Sequence, residues 1–244
     1  MPPTPSPDTD TEAVTPGPST PGGGTNAGSP VGADAGNGAD GSGNGNGSGN
    51  GAGAGSGEGP FGVGGGAGEG LRHIVYVLDV SLSMPTRIGR AKKELRDALA
   101  TLGPGESFDI IAFCGKRQPF DPDGLVAATR QTIAEGNEFL DTLELGEGTD
   151  LQAALDQALD MSGVNVVVVI TDGVPTVGET NFRKIARHAR DRNRQHARIF
   201  TIGLVGKNPD GTDDSFEASR LLRQLATDSG GDCKLVEVGM STPD

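Results

Sequence analysis

Residues 73–79, His-Ile-Val-Tyr-Val-Leu-Asp, form a nearly unbroken apolar run that ends in a carboxylate. A strand with one wet face alternates apolar and polar residues. A continuous apolar run has to be covered on both faces, as in a parallel sheet between two helical layers. The pattern returns at residues 165–171, Asn-Val-Val-Val-Val-Ile-Thr, and an aspartate, Asp172, again follows directly. Two such strands in one chain constrain the fold more than any other feature of the sequence.

The segments around them alternate in the same sense. Ile88, Ala91, Leu95, Ala98, Leu99 and Leu102 recur at three- and four-residue intervals and predict one apolar face of a helix. Pro85 suits its first turn, Gly103-Pro104-Gly105 ends it, and Arg87, Arg90, Lys93 and Arg96 are expected on its wet side. A strand follows at 107–114, with a short edge strand at 116–120. Helices are expected at 125–143, with Pro122 and Asp123 as start signals, and at 149–161. After strand 165–171 come a basic helix around 180–195, a strand at 197–205, a helix at 214–229 and a strand at 233–238. Alternating strands and helices imply an α/β fold: a doubly wound, mostly parallel central sheet, Rossmann-like, with helices on both faces.

Composition sets the boundaries. Residues 1–70 hold 24 of the 41 Gly and 9 of the 16 Pro, with seven acids and no Lys, Arg or His. So few apolar side chains cannot offset the entropy of ordering the segment, which reads as a disordered Pro/Gly/Asn/Ser-rich linker. Its G-x-G spacings precede the first strand, so they do not form a dinucleotide fingerprint. The expected organisation is linker 1–70, one domain 71–239 and a tail 240–244. The folded part carries 20 basic and 26 acidic residues, a net of −6 within a total of −13. That balance is unsuited to gripping a phosphate backbone, so no nucleic-acid role is expected. The stretch 183–198 has six Arg and Lys184, and reads as a solvated helix face. No signal peptide or membrane span is legible, giving a cytoplasmic default, with a membrane tether as the alternative if further chain precedes Met1. Cys114 and Cys233 match no zinc spacing and are expected as reduced thiols on distant strands. His73, His188 and His196 form no catalytic or metal group, and a monomer is expected.

Three segments concentrate oxygen donors at carboxyl ends of strands or in the loops beside them: Asp79-Val80-Ser81-Leu82-Ser83, Gly148-Thr149-Asp150-Leu151 and Thr171-Asp172-Gly173. Ligands of open α/β sheets bind outside the strand carboxyl ends, where strand order reverses. If strands 73–79 and 165–171 are central neighbours, all three segments meet there. Two carboxylates and three hydroxyls suit Mg²⁺ or another hard divalent ion and not zinc. Two Asp balance a divalent cation and leave it able to bind an external carboxylate. Gly173 is expected to let the backbone pass close by. Helix capping by Ser81, Ser83 and Thr149 is the plainer alternative, and Asp150 is read as a charge in a helix's first turn.

In this order and at these spacings, D-x-S-x-S, G-T-x-L and T-D-G resemble the von Willebrand factor type A domain with its metal-ion-dependent adhesion site. The resemblance covers residues 71–239 and includes Pro175, Thr176, Gly178 and Glu179. It implies that Asp79, Ser81, Ser83, Thr149 and Asp172 are the metal-site residues. The serines, and in some members the threonine, would touch the metal, with the aspartates often acting through water. The implied cofactor is Mg²⁺, or Mn²⁺ or Ca²⁺, and the implied partner is a protein that supplies a carboxylate. Leu82 stands where the family commonly has Gly, and the final helix of many members is not legible after 239. The function expected is a metal-dependent protein-binding module, not an enzyme. The alternatives are a Mg²⁺-dependent phosphoryl-transfer enzyme of haloacid-dehalogenase type, which would need an acid where Ser81 stands, or an adaptor with a vestigial site.

Overall fold

The structure is a computed structural model that describes residues 70–206 and 215–238. The expectations for residues 1–69 and 239–244 lie outside the described residues. The elements are β1 (His73–Asp79), α1 (Ile88–Leu99), β2 (Ser107–Phe113), β3 (Arg117–Pro119), β4 (Val126–Ala127), α2 (Arg130–Thr142), α3 (Leu151–Asp160), β5 (Val166–Thr171), α4 (Phe182–Arg192), β6 (Arg198–Val205), α5 (Ser215–Ser229) and β7 (Cys233–Glu237).

One sheet runs in the order β3-β2-β1-β5-β6-β7, with β4 also paired to β2. β1, β2, β5, β6 and β7 are parallel, and β3 and β4 are antiparallel to β2. This is the doubly wound, mostly parallel sheet that the two apolar runs require. All six residues of β5 are buried, and six of the seven in β1. Side chains alternate between two cores. Ile74, Tyr76 and Leu78 pack with α1 and with Leu140 of α2. Val75, Val77, Val167 and Val169 pack with α3, α4 and α5. Two helical layers thus cover the sheet, and no charged group of β5 has to be buried to make it central.

β1 and β5 are hydrogen-bonded neighbours, in register from Ile74↔Val166 to Leu78↔Ile170. The chain moves outward to β2 from one and to β6 from the other. Strand order therefore reverses between them, and both carboxyl ends open on the same crevice.

Two expectations need correction. Residues 125–143 are not one helix. Val126–Ala127 pairs with β2 through Phe108↔Val126, and α2 starts only at Arg130. The start signal is Thr129, whose side chain caps the helix in a reciprocal pair with Thr132. Asp123 belongs to a turn, where its N–H donates to Asp121 Oδ1 at 2.8 Å. The second correction concerns Arg87. It is the N-cap residue of α1 and is buried, not on the wet side. The basic helix agrees with its expectation. Ile185, Ala186 and Ala189 are buried, and Lys184, His188 and Arg192 pair with Glu179, Asp156 and Asp160. Cys114 and Cys233 are both free; Cys114 follows β2, and three strands separate β2 from β7.

Candidate functional site

The first segment leaves β1 through a tight turn made by Asp79 itself. Its Oδ1 accepts the Ser81 N–H at 2.8 Å, and its Oδ2 accepts the Thr171 hydroxyl from the end of β5 at 2.5 Å. Asp79 is fully buried. Ser81 Oγ and Ser83 Oγ lie 2.8 Å apart, so alternate positions do aim both hydroxyls at one point. Ser83 Oγ then donates to Asp172 Oδ1 at 2.8 Å, joining the β1 and β5 loops.

The second segment is held to both neighbouring strand ends by backbone bonds. The Gly146 N–H donates to Val80 O at 2.8 Å, and the Asp150 N–H to Cys114 O at 2.9 Å. The Thr176 N–H, beyond the third segment, donates to Thr149 O at 3.1 Å. Gly148 sits at φ +79°, a conformation that a residue with a Cβ adopts only under strain, and it brings the chain round to Thr149. Thr149 is buried, and its hydroxyl forms no hydrogen bond with the described residues.

All five residues singled out from the sequence are thus carried by three loops that are bonded to one another at the switch point. The direct contacts join Asp79, Ser81, Ser83 and Asp172. Thr149 is brought in through its backbone. The capping alternative does not hold. The N-cap of α1 is Arg87, with no side-chain cap bond, and α3 is capped by Asp150, whose carboxylate accepts the Ala153 N–H at 3.1 Å. Asp150 is therefore a cap and not merely a first-turn charge. Gly173 also differs from expectation. A Cβ there would lie 3.8 Å from Ser83 Oγ, an ordinary contact, so no close approach demands glycine. Steric demand falls instead on other loop glycines, Gly178 among them, at φ +70°, where a Cβ would come within 2.6 Å of Asp150 Oδ1.

Arg87 is a buried neighbour of this cluster that the sequence pattern placed on the wet side of α1. Its guanidinium donates from Nη1 to Asp172 Oδ2 at 2.7 Å and to Ser83 O at 3.1 Å, and from Nη2 to Gly206 O at 2.8 Å. The available signal was a broken rule: helices start on Ser, Thr, Asp or Asn, and here a cation holds that position. Thr171 was part of the third segment but not among the five, although its hydroxyl occupies one oxygen of Asp79.

Burial dominates the electrostatics. Desolvation pushes the Asp79 carboxyl up to about 6, against the pull of the Thr171 and Ser81 bonds. Desolvation also raises Asp172, despite Ser83 and Arg87. Two buried carboxylates that resist ionisation are a place where a cation gains from binding, because its charge restores the ionised form. Among the described residues, no three His, Cys, Asp or Glu side chains gather as a metal-ligating group. The cluster instead combines two carboxylates with hydroxyl oxygens, a donor set that fits a hard divalent ion.

Comparison with known proteins supports the fold and its family. The family model described as the von Willebrand factor type A domain matches residues 72–234, and the chain belongs to that family. Inter-alpha-trypsin inhibitor heavy chain H4 of Homo sapiens is 29% identical over 173 residues, covering 66% of this chain and 18% of that protein. Heavy chain H1 of Mesocricetus auratus is 27% identical over 146 residues, covering 54% and 16%. The chain thus spans less than about a fifth of the length of these relatives. A von Willebrand factor type A structure from Catenulispora acidiphila superposes with a TM-score of 0.57 at 21% identity, over 68% of this chain and 39% of that one. The open conformation of the pilus adhesin SpaC from Lactobacillus rhamnosus GG gives 0.55 at 14% identity, over 68% and 28%. At these identities the structural likeness is one of fold.

Proposed function

We propose that the chain is a metal-dependent protein-binding module. A divalent cation, Mg²⁺ in the first instance, would be held by Asp79, Ser81, Ser83, Thr149 and Asp172, and an acidic side chain of a protein partner would complete its coordination. The observation that carries this reading is the hydrogen-bonded run Ser81 Oγ, Ser83 Oγ, Asp172 Oδ1, with steps of 2.8 Å, beside the buried Asp79. Bound there, the cation supplies a Lewis-acidic centre for an anionic oxygen. The chain's own contribution is to hold the hydroxyls in place, using Asp79 to fix the turn and Asp172 to orient Ser83.

Both carboxylates engage protein donors with both oxygens. That favours a small ion that keeps some of its waters over one that demands bidentate chelation. The same fact weighs against phosphoryl transfer. Asp79 is fully buried, its two oxygens accept from Ser81 and Thr171, and Ser81 stands where an acid/base carboxylate would be needed. No helix among the described residues is long and apolar enough to cross a membrane.

The test is capture of a partner from solution with Mg²⁺ or with EDTA, alongside Asp79→Ala and Ser81→Ala. Capture that requires Mg²⁺ and is lost in both variants, with the circular dichroism of the fold retained, is the expected result. Capture indifferent to EDTA would refute the reading. So would robust Mg²⁺-dependent phosphatase turnover lost in Asp79→Asn.

A further inference from the structure

Arg87 breaks two local rules at once. It holds the N-cap of α1, where a hydroxyl or short carboxylate side chain normally accepts a helix N–H, and it supplies no such bond. It also sets a positive charge beside the positive end of the helix, and it does so with a side chain only 2% exposed. A chain that forgoes a cap and buries a cation against a helix dipole gains something at that position. The gain is visible in the contacts. One guanidinium ties Ser83 O of the β1 loop, Asp172 Oδ2 of the β5 loop and Gly206 O after β6.

Resting on the metal reading above, we propose that Arg87 is the built-in counter-cation of the site, a positioning residue that keeps Asp172 and Ser83 in place whether or not a divalent ion is bound. Without Arg87, Asp79 and Asp172 would be two buried carboxylates held only by neutral donors from Ser81, Thr171 and Ser83, and closing the loops without a metal would cost more. With Arg87, one carboxylate is already neutralised, so folding does not wait for the ion. The same charge lowers metal affinity, because the guanidinium and the metal share Asp172. It also makes the loaded site more positive by one charge than the same loops without Arg87 would be. That added positive charge strengthens the attraction for an anionic partner oxygen. Arg87 thus exchanges some metal affinity for a preformed and more electrophilic site.

A purely structural arginine and a counter-cation predict opposite signs for metal binding. If Arg87 only braced the loops, its loss would weaken both the fold and the metal site. If it is the counter-cation, Arg87→Met destabilises the metal-free protein and tightens Mg²⁺ binding. The experiment uses the full 244-residue chain. Calorimetric Mg²⁺ titration and thermal melts in EDTA and in excess Mg²⁺ are recorded for wild type, R87M, R87K and the double variant R87M/D172N.

Expected are a Mg²⁺ dissociation constant about tenfold lower in R87M, since a nearby like charge has been removed, and an EDTA melt below wild type. The R87M melt should recover further on adding Mg²⁺ than the wild-type melt does. R87K, which keeps the charge but not the three-way fork, should lie closer to wild type than R87M in Mg²⁺ affinity while melting below wild type in EDTA. Removing both charges in R87M/D172N should raise the EDTA melt above that of R87M. This comparison keeps the proposal testable if R87M folds only with metal. R87M binding Mg²⁺ as weakly as wild type or more weakly, or a double variant no more stable than R87M in EDTA, overturns the proposal while leaving the metal reading intact. Wild type showing no saturable Mg²⁺ binding overturns the metal reading, and the proposal with it.

Discussion

Asp109 lies inside β2 and is fully buried, on the strand face opposite Phe108. Its Oδ1 accepts the Asp121 N–H at 3.0 Å, and its Oδ2 has no partner among the described residues. Burial and the nearby Asp121 charge push its carboxyl up to about 6 from 3.8. A carboxyl whose folded pKa is raised holds its proton longer in the native state than in the unfolded chain. Its contribution to stability is therefore full below about pH 4 and is lost as the pH rises through 6. A rise of about 2 in pKa corresponds to about 3 kcal/mol over the whole interval, and to about 1.5 kcal/mol between pH 5 and pH 7.5. Asp109→Asn removes the titration. The assay is urea denaturation of both proteins at the two pH values, in EDTA so that metal binding does not contribute. The difference in unfolding free energy, variant minus wild type, should increase by about 1.5 kcal/mol from pH 5 to pH 7.5. Any cost of the new amide cancels in that comparison, because it is the same at both pH values. Two curves that stay parallel within about 0.3 kcal/mol would show that Asp109 ionises normally and would refute the reasoning.

Further expectations follow from the same contacts. Gly178→Ala sets a Cβ 2.6 Å from Asp150 Oδ1 at φ +70°; a loss of about 2 kcal/mol or more in urea denaturation is expected, together with weaker Mg²⁺ binding because the α3 cap next to Thr149 is displaced. Thr129→Ala removes the capping box of α2 and should cost about 1 kcal/mol, whereas a helix starting at 125 would leave that position insensitive. Mg²⁺ affinity should fall as the pH drops through about 6, because protons then compete for Asp79; calorimetry that gives one affinity from pH 5 to pH 8 would contradict the assigned role of that carboxylate.

The sheet was legible because β1 and β5 cannot be half-buried strands. Their unbroken apolar runs demand two covering layers, and the ends of those runs locate the switch point. Four of the five residues singled out there are in direct contact for the same reason: Ser81 and Ser83 alternate along the chain as it leaves β1, and Asp172 leaves β5 beside them. What the sequence hid depends on pairing at a distance. Val126–Ala127 reads as helical by its neighbours, yet two residues suffice to extend the free edge of β2, and that tertiary pairing outweighs local propensity. Arg87 reads as a wet helix residue by periodicity, since the side chain that neutralises it, Asp172, lies 85 positions further along the chain. Gly173 reads as sterically necessary next to an aspartate, but the folded loops put that constraint on other glycines, Gly148 and Gly178 among them.

A metal-dependent binding module requires that these loops hold one divalent ion. Mn²⁺ is a paramagnetic probe of that question, and its binding to the 244-residue chain can be counted by electron paramagnetic resonance. The expected result is one saturable Mn²⁺ per chain, displaced by Mg²⁺, with affinity reduced at least about tenfold in Ser83→Ala, where the bond to Asp172 is lost along with a donor oxygen. Mn²⁺ that does not saturate, or that binds Ser83→Ala as well as wild type, would contradict it.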